Sequence, residues 1–88
     1  MVIERFAKGS LEKVGARFAE RGRMIPDGLT YKVSWMETNG GLCFQIMETD
    51  NPKLLEVWTS RWDDLVTFEI FPIQYSADFW NAARANEI

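Results

Sequence analysis

The sequence predicts an α+β fold in which two helices cover one face of a four-stranded antiparallel sheet. Three observations support this prediction: apolar residues alternate in four short segments, they recur at helical spacing in two others, and an Asn-Gly pair separates the middle strands. The resulting βαββαβ order is the ferredoxin-like arrangement, and right-handed crossovers place both helices on the same face. We expect this domain over residues 1–73 and a tail with a short helix over residues 74–88.

The first half of the chain contains a strand, a helix and a second strand. Residues 1–6 are apolar enough for a strand, and Ser10 is a typical N-cap residue for the helix that follows. The apolar side of this helix consists of Leu11, Val14, Gly15 and Phe18. Gly22 is expected to end the helix, and residues 29–36 alternate as a strand does.

The second half begins with a hairpin. Asn39-Gly40 predicts a tight turn, so residues 42–48 form a strand antiparallel to the preceding one. Asn51-Pro52 is expected to open the second helix, as an Asx cap followed by proline in the first turn. The apolar stripe of this helix is Leu54, Leu55, Trp58 and Trp62.

The chain ends with a strand and a tail. Residues 66–71 alternate as a strand that Pro72 ends, and Ser76 is expected to cap a last short helix carrying Phe79 and Trp80.

Alternation sorts the strand residues into two faces. The more apolar set is Tyr31, Val33, Trp35, Leu42, Phe44, Ile46, Val66, Phe68 and Ile70, and we expect it to meet the helices. The other set is Lys32, Ser34, Met36, Cys43, Gln45, Met47, Thr67, Glu69 and Phe71; its mixed character suits a dimer interface or a barrel-like cavity between two sheets. On this assignment Trp35→Ala costs about 3–5 kcal/mol. In the first strand either Glu4 or Arg5 faces inward, and the buried charge needs a partner.

Size and composition favour a homodimer. The 88 residues include four Trp, six Phe and two Tyr, which is more aromatic surface than the thin core of so short a chain buries. A net charge of −3 without runs of like charge argues against binding to nucleic acid or to an anionic membrane surface. With one cysteine, no visible leader and no long apolar stretch, we expect a soluble cytoplasmic protein.

The absence of histidine narrows the chemistry. It excludes histidine-based triads and the usual histidine-rich metal sites, and no glycine-rich loop follows a strand. We therefore expect no metal or nucleotide cofactor. Carboxylates are the better candidates, because desolvation can raise the pKa of a glutamate such as Glu4 or Glu69 into a range suited to proton transfer. The alternative is that these are structural charges paired with Arg5 or Lys32.

The enzymatic interpretation assigns proton transfer to Glu48 or Glu69 and substrate orientation to Gln45. An aromatic ligand pocket would be lined by Tyr31, Trp35, Trp58 and Trp62, although a stripe at helical spacing is more often plain core packing. Arg23, with Arg21, could hold an anionic substrate or complement the dipole at the end of the first helix. Cys43 is expected to be a small packing residue.

Several short motifs also resemble a known family. They are Met1-Val2-Ile3-Glu4-Arg5-Phe6, Arg21-Gly22-Arg23-Met24, Pro26, Gly28-Leu29, Ser34-Trp35, Cys43-Phe44-Gln45, Met47-Glu48, Trp58, Trp62, Asp64-Leu65 and Phe68-Glu69. In this order and spacing they resemble DUF3303, a small bacterial family known as a domain of unknown function. The similarity covers residues 1–73, and the Phe79-Trp80 tail is longer than the family pattern needs. The resemblance implies a ferredoxin-like, dimeric α/β-barrel protein and supplies no activity.

Two functions are compatible with these features. The first is a homodimeric α/β-barrel protein that binds a small hydrophobic or aromatic molecule, or a cofactor-free enzyme that acts on one. The second is a non-catalytic dimerisation or protein-interaction module. A closed cavity with convergent polar groups favours the first, and solid packing favours the second.

Overall fold

The strands and helices follow one another in the predicted order. The computed structural model describes residues 1–85 and contains β1 (Val2–Phe6), α1 (Leu11–Arg21), β2 (Thr30–Met36), β3 (Leu42–Glu48), α2 (Lys53–Thr59), β4 (Val66–Ile70) and α3 (Ser76–Ala85). The four strands form one antiparallel sheet in the order β2-β3-β1-β4, so β1 and β3 are central. The predicted ferredoxin-like α+β fold is confirmed.

Short polar contacts fix the ends of these elements. Gly22 adopts a φ of 67° and its N–H donates to the carbonyl of Phe18 (2.7 Å), which ends α1 as predicted. The side-chain oxygen of Asn51 accepts a hydrogen bond from the N–H of Lys53 (3.1 Å) at the start of α2. Ser10 precedes α1 without capping it through its side chain. Its hydroxyl donates instead to the carbonyl of Ala7 (2.7 Å), because that oxygen lies close to it in the turn.

The strand register decides which side chains face α1 and α2. Residues directly opposite each other share a face, and Glu4 lies opposite Cys43 in β3 and Phe68 in β4. The buried strand residues are Val2, Glu4, Cys43, Gln45 and Val66. In β1 it is therefore Glu4 that faces the helices, while Arg5 turns away and pairs with Glu69 at 2.7 Å.

The predicted faces are wrong for β3 and for the part of β2 that follows Tyr31. Trp35 is 58% exposed on the face that α1 and α2 leave open, and Cys43 and Gln45 lie beneath the helices. The prediction for β4 is right, because Val66 is buried and Phe68 packs against the core. Counting apolar residues selects the wrong face here because both faces of the sheet are apolar.

A β-bulge in β2 contributes to this error. Tyr31 lies opposite Met47 and Val33 lies opposite Ile46, so one extra residue, Lys32, is inserted between them. The bulge shifts the alternation: Tyr31 stays on the helix side, whereas Val33 turns to the open face. A simple alternation rule places both on the same face.

The core lies between α2, the turn after it and the sheet. Its buried members are Val2, Leu29, Trp58 and Trp62, and the ring of Phe68 meets that of Trp58 edge to face at 5.4 Å. Tryptophan rings thus supply most of the buried volume of a small core, as expected from the composition.

Helix α3 extends away from this core. Apart from the half-buried Ala83, the side chains of residues 76–84 are exposed, including Phe79 and Trp80. The radius of gyration is 15.6 Å, against about 12 Å for a compact chain of this length. No helix within residues 1–85 combines the length and the apolar character that crossing a membrane requires.

These faces give different stability effects for two tryptophans. Trp58→Ala is expected to lower the free energy of unfolding by about 3–5 kcal/mol, because it empties the centre of the core. Trp35→Ala is expected to change it by less than about 1 kcal/mol, since more than half of this side chain is already in water. Urea unfolding of both variants at low protein concentration measures the difference, and equal losses would contradict the observed faces.

Candidate functional site

Helix α1 lies over the sheet without packing closely against it. None of its residues is fully buried, and Leu11 and Phe18 on its apolar side are 47% and 45% exposed. An ion pair holds the helix from outside: the guanidinium of Arg17 donates to both carboxylate oxygens of Asp64 (2.8 and 2.7 Å). This contact lowers the pKa of Asp64 and raises that of Arg17. The helix is thus anchored at its edge while its apolar side remains free.

A cavity of about 460 Å³, partly open to solvent, lies under α1. One wall is the apolar side of the helix, formed by Leu11, Val14, Gly15 and Phe18, and the other walls include Phe6, Trp58 and Trp62. Polar groups of Glu4, Arg23, Ser34, Cys43 and Gln45 complete the lining. A mostly apolar cavity of this size with a few convergent polar groups is typical of small-molecule sites.

The central polar pair in the cavity is Glu4 with Gln45. They are only 9% and 4% exposed, and the amide of Gln45 donates a hydrogen bond to the carboxyl of Glu4. Burial raises the pKa of Glu4 from 4.5 to about 7, and the positive charge of Arg23 partly opposes this shift. Glu4 therefore exchanges its proton near neutral pH, as a general acid or base must.

Cys43 lies beside this pair, opposite Glu4 in the sheet register. Burial raises the pKa of the Cys43 thiol, and the charge of Glu4 raises it further. The thiol is therefore protonated near neutral pH, which fits the predicted packing role better than that of a nucleophile.

The loop after α1 holds Arg23 rigidly. Its backbone carbonyl accepts hydrogen bonds from the indole N–H groups of both Trp58 and Trp62, each at 3.0 Å. The next carbonyl, that of Met24, accepts from Arg61 at 2.6 Å. Met24 has a φ of 56°, a left-handed conformation that costs a non-glycine residue about 1–3 kcal/mol. Such a conformation persists only where surrounding contacts impose it, as these three do.

Gly15 leaves room on the cavity side of α1. A Cβ atom at this position would meet no heavy atom within 4 Å, and its φ is an ordinary helical one. Glycine in a helix interior costs about 1 kcal/mol relative to alanine. Gly15 thus makes α1 less stable than alanine would, at a position that lines the cavity.

Comparison with known proteins identifies the family. The model of the domain of unknown function DUF3303 matches residues 1–87. The chain belongs to this family. Comparisons with curated proteins and with solved structures found no match. The predicted resemblance is confirmed, and its extent is corrected: the DUF3303 model includes the Phe79-Trp80 tail, which the sequence analysis placed beyond the family pattern.

The structure brings together four of the predicted ligand-binding residues of this DUF3303 domain. Arg23, Gln45, Trp58 and Trp62 all line the cavity. Tyr31 lies next to it, with its ring 3.7 Å from the guanidinium carbon of Arg23 and its hydroxyl 2.6 Å from that of Ser34.

Three other predicted residues lie elsewhere. Trp35 is on the open face of the sheet, because the bulge at Lys32 turns it away from α1. The two carboxylates named for proton transfer face solvent in ion pairs, Glu48 with Lys32 at 3.5 Å and Glu69 with Arg5 at 2.7 Å. Among residues 1–85, no group of three or more aspartate, glutamate or cysteine side chains could hold a metal ion.

Glu4 is the carboxyl that the sequence suggests for a raised pKa but that the enzymatic interpretation does not assign to proton transfer. The signal for it was ambiguous, because Glu4 and Arg5 are adjacent in a strand that is apolar on both sides. The neighbours of Glu4 at two-residue spacing, Val2 and Phe6, are apolar, but so are Ile3 and Ala7 around Arg5, so alternation alone does not decide which charge faces inward.

The raised pKa of Glu4 predicts a pH-dependent stability. The unfolded chain ionises this group above about pH 4.5, whereas the folded chain resists ionisation until about pH 7. The stabilising contribution is therefore fully present below pH 4.5 and is lost as pH rises to about 7, by about 3 kcal/mol. Glu4→Gln is expected to match the wild type at pH 4.5 and to exceed it by that amount at pH 8. Urea unfolding at several pH values tests this, and parallel curves would contradict the assignment.

Gly15→Ala is expected to raise the free energy of unfolding by about 0.5–1 kcal/mol, because alanine suits a helix interior and meets no neighbour here. Gly22→Ala is the matched control: with a φ of 67° at the end of α1, it is expected to destabilise the fold. Thermal unfolding distinguishes the two, and a loss at Gly15 would mean that α1 is closed down on the sheet.

Proposed function

We propose that this DUF3303 domain binds a small hydrophobic or aromatic molecule in the cavity between α1 and the sheet. The observation that carries the proposal is the buried Glu4–Gln45 pair inside a mostly apolar cavity of about 460 Å³. Burial of a carboxyl is costly, and a chain that needed only a core would place an apolar residue there. Binding of a ligand through this carboxyl would explain why the fold tolerates the free energy lost by burying it.

The incomplete packing of α1 supports the same proposal. A strongly amphipathic helix ordinarily buries its apolar side, yet Leu11 and Phe18 remain almost half exposed and Gly15 adds no side chain. An apolar molecule in the cavity would cover these groups from inside. The free energy of binding would then come mainly from apolar area removed from water.

Glu4 extends the proposal to catalysis without a cofactor. With a pKa of about 7, it accepts and returns a proton at neutral pH, and the hydrogen bond from Gln45 fixes the orientation of its carboxyl group. The fitting reaction class is proton transfer on a bound molecule, such as an isomerisation. This places in Glu4 the role that the sequence analysis gave to Glu48 or Glu69.

Binding is tested first by native mass spectrometry of the protein as purified, which would reveal a retained molecule as a defined added mass. N-phenyl-1-naphthylamine then serves as a neutral apolar probe. The fluorescence of Trp58 and Trp62 reports its binding once the two exposed tryptophans are removed as W35F/W80F. We expect saturable binding of the probe.

Gly15→Phe is expected to abolish probe binding, because the added ring fills the space beside α1 without meeting a neighbour at its Cβ atom. Lys13→Phe is the matched control, since it adds the same ring at an exposed position outside the cavity lining. Gly15→Phe should unfold at or above the temperature of the wild type and Lys13→Phe close to it, because phenylalanine suits a helix better than glycine and slightly less well than lysine. Equal binding by the wild type and Gly15→Phe would place the probe elsewhere and contradict the proposal.

We also propose that the protein is a homodimer. The alternative function, a dimerisation or protein-interaction module, would use the same exposed apolar surfaces. The open sheet face exposes Trp35 and Val33, and α3 exposes Phe79 and Trp80. Large apolar side chains in such number on a small domain are typical of surfaces that a partner covers. A second copy of the chain is the simplest occupant because it offers both surfaces at once.

Sedimentation velocity at micromolar concentration is expected to show a dimer. Trp35→Asp should dissociate it, because a carboxylate in a buried interface loses its hydration. Val57→Asp is the control, as Val57 is a comparably exposed apolar residue on α2, which covers the opposite face of the sheet. A wild-type monomer would contradict the dimer, and dissociation by Trp80→Asp alone would place the interface on α3.

A further inference from the structure

The side chain of Arg23 lines the cavity, and within residues 1–85 its guanidinium donates no hydrogen bond to a protein acceptor. Its guanidinium lies over the ring of Tyr31 at 3.7 Å and near that of Phe18 at 5.1 Å. Among the described residues, no carboxylate oxygen lies within 4 Å of it. Because aromatic rings accept no conventional hydrogen bond from it, the N–H groups of the guanidinium remain available to an acceptor.

The loop makes Arg23 a fixed point rather than a mobile surface cation. Both core tryptophans bind its carbonyl, and the left-handed conformation of Met24 sets the course of the chain just after it. The side chain therefore emerges at a constant position beside the cavity. Preorganised donors of this kind lose little conformational entropy when they bind an anion.

Glu4 shares the cavity with Arg23 without forming a direct ion pair with it. The charged or titratable side chains around Glu4 are Arg23 from the loop and Cys43 from β3. The lining residues from α1, from β2 and from the α2 region carry no charge, and Phe68 lies opposite Glu4 in β4. With Glu4 protonated, the cavity has a net positive charge and two kinds of hydrogen-bond donor.

We propose that the ligand of this cavity is an aromatic or hydrophobic acid, whose anionic oxygen atoms accept hydrogen bonds from the guanidinium of Arg23 and from the protonated carboxyl of Glu4. This inference rests on the proposed function and names its ligand class. The number of protons taken up on binding depends on pH. Below about pH 7 the anion binds the already protonated site, and above it the site takes up one proton from water on binding.

The test compares 2-naphthoate with 2-naphthamide, which has nearly the same shape without the charge. Trp58 and Trp62 fluorescence in W35F/W80F and titration calorimetry both measure the affinities. At pH 6 we expect naphthoate to bind at least tenfold more tightly than the amide. Its affinity should fall as pH rises through about 7, approaching tenfold per pH unit. Calorimetry at pH 8 in buffers of different ionisation enthalpy should show uptake of one proton.

Three variants separate the contributions. Arg23→Met should remove the preference for naphthoate, and Arg23→Lys should restore part of it because the charge returns without the planar group. Both keep the backbone carbonyl that the tryptophans bind. Glu4→Gln should bind naphthoate with an affinity independent of pH, since its amide stays neutral and still offers a donor.

Each result separates this inference from the proposed function. Equal binding of naphthoate and naphthamide would overturn the acid as ligand while leaving the cavity as a binding site. Binding of N-phenyl-1-naphthylamine without naphthoate would do the same. If none of the three probes binds the wild type, both proposals are overturned.

Discussion

The hydrogen bonds from two indole N–H groups to the carbonyl of Arg23 are the contact on which the rest of the site depends. Trp58 comes from α2 and Trp62 from the turn after it, so one oxygen atom joins both to the loop that leaves α1. The rings are the bulk of the core, and their polar atoms find their partner in that loop. The same contact fixes where Arg23 emerges, so the packing of the core and the geometry of the cavity have a common origin.

The cavity exists because α1 is held at its margins. The ion pair of Arg17 with Asp64 and the hydrogen bond that the hydroxyl of Ser10 donates to the carbonyl of Leu65 (3.1 Å) connect the helix to the rest of the fold outside its apolar side. With Gly15 at the middle of that side, the helix forms a roof above Glu4 and Gln45 instead of a packed layer. Tighter packing would stabilise the domain and remove the space.

The sequence predicted the architecture well because local signals determine it. The Asn39-Gly40 turn, the end of α1 at Gly22 and the four alternating segments depend on backbone preferences that act within a few residues. The orientation of β2 and β3 depends on register and on the bulge at Lys32, which are set by pairing between distant segments. For this reason the predicted residues Arg23, Gln45, Trp58 and Trp62 lie together in the cavity, whereas Trp35 lies on the face opposite to the predicted one and alternation does not identify Glu4.

A chain without histidine has almost nothing else that titrates at neutral pH. Apart from the N-terminal amine, whose pKa burial lowers from 8.0, ordinary side chains change charge well below or well above this range. Glu4 is therefore a built-in reporter. An inflection near pH 7 in a chemical shift, in tryptophan emission or in a turnover rate, if Glu4→Gln abolishes it, can be assigned to one proton in one place. A titration observed for the whole molecule then reports the ionisation of a single carboxyl group.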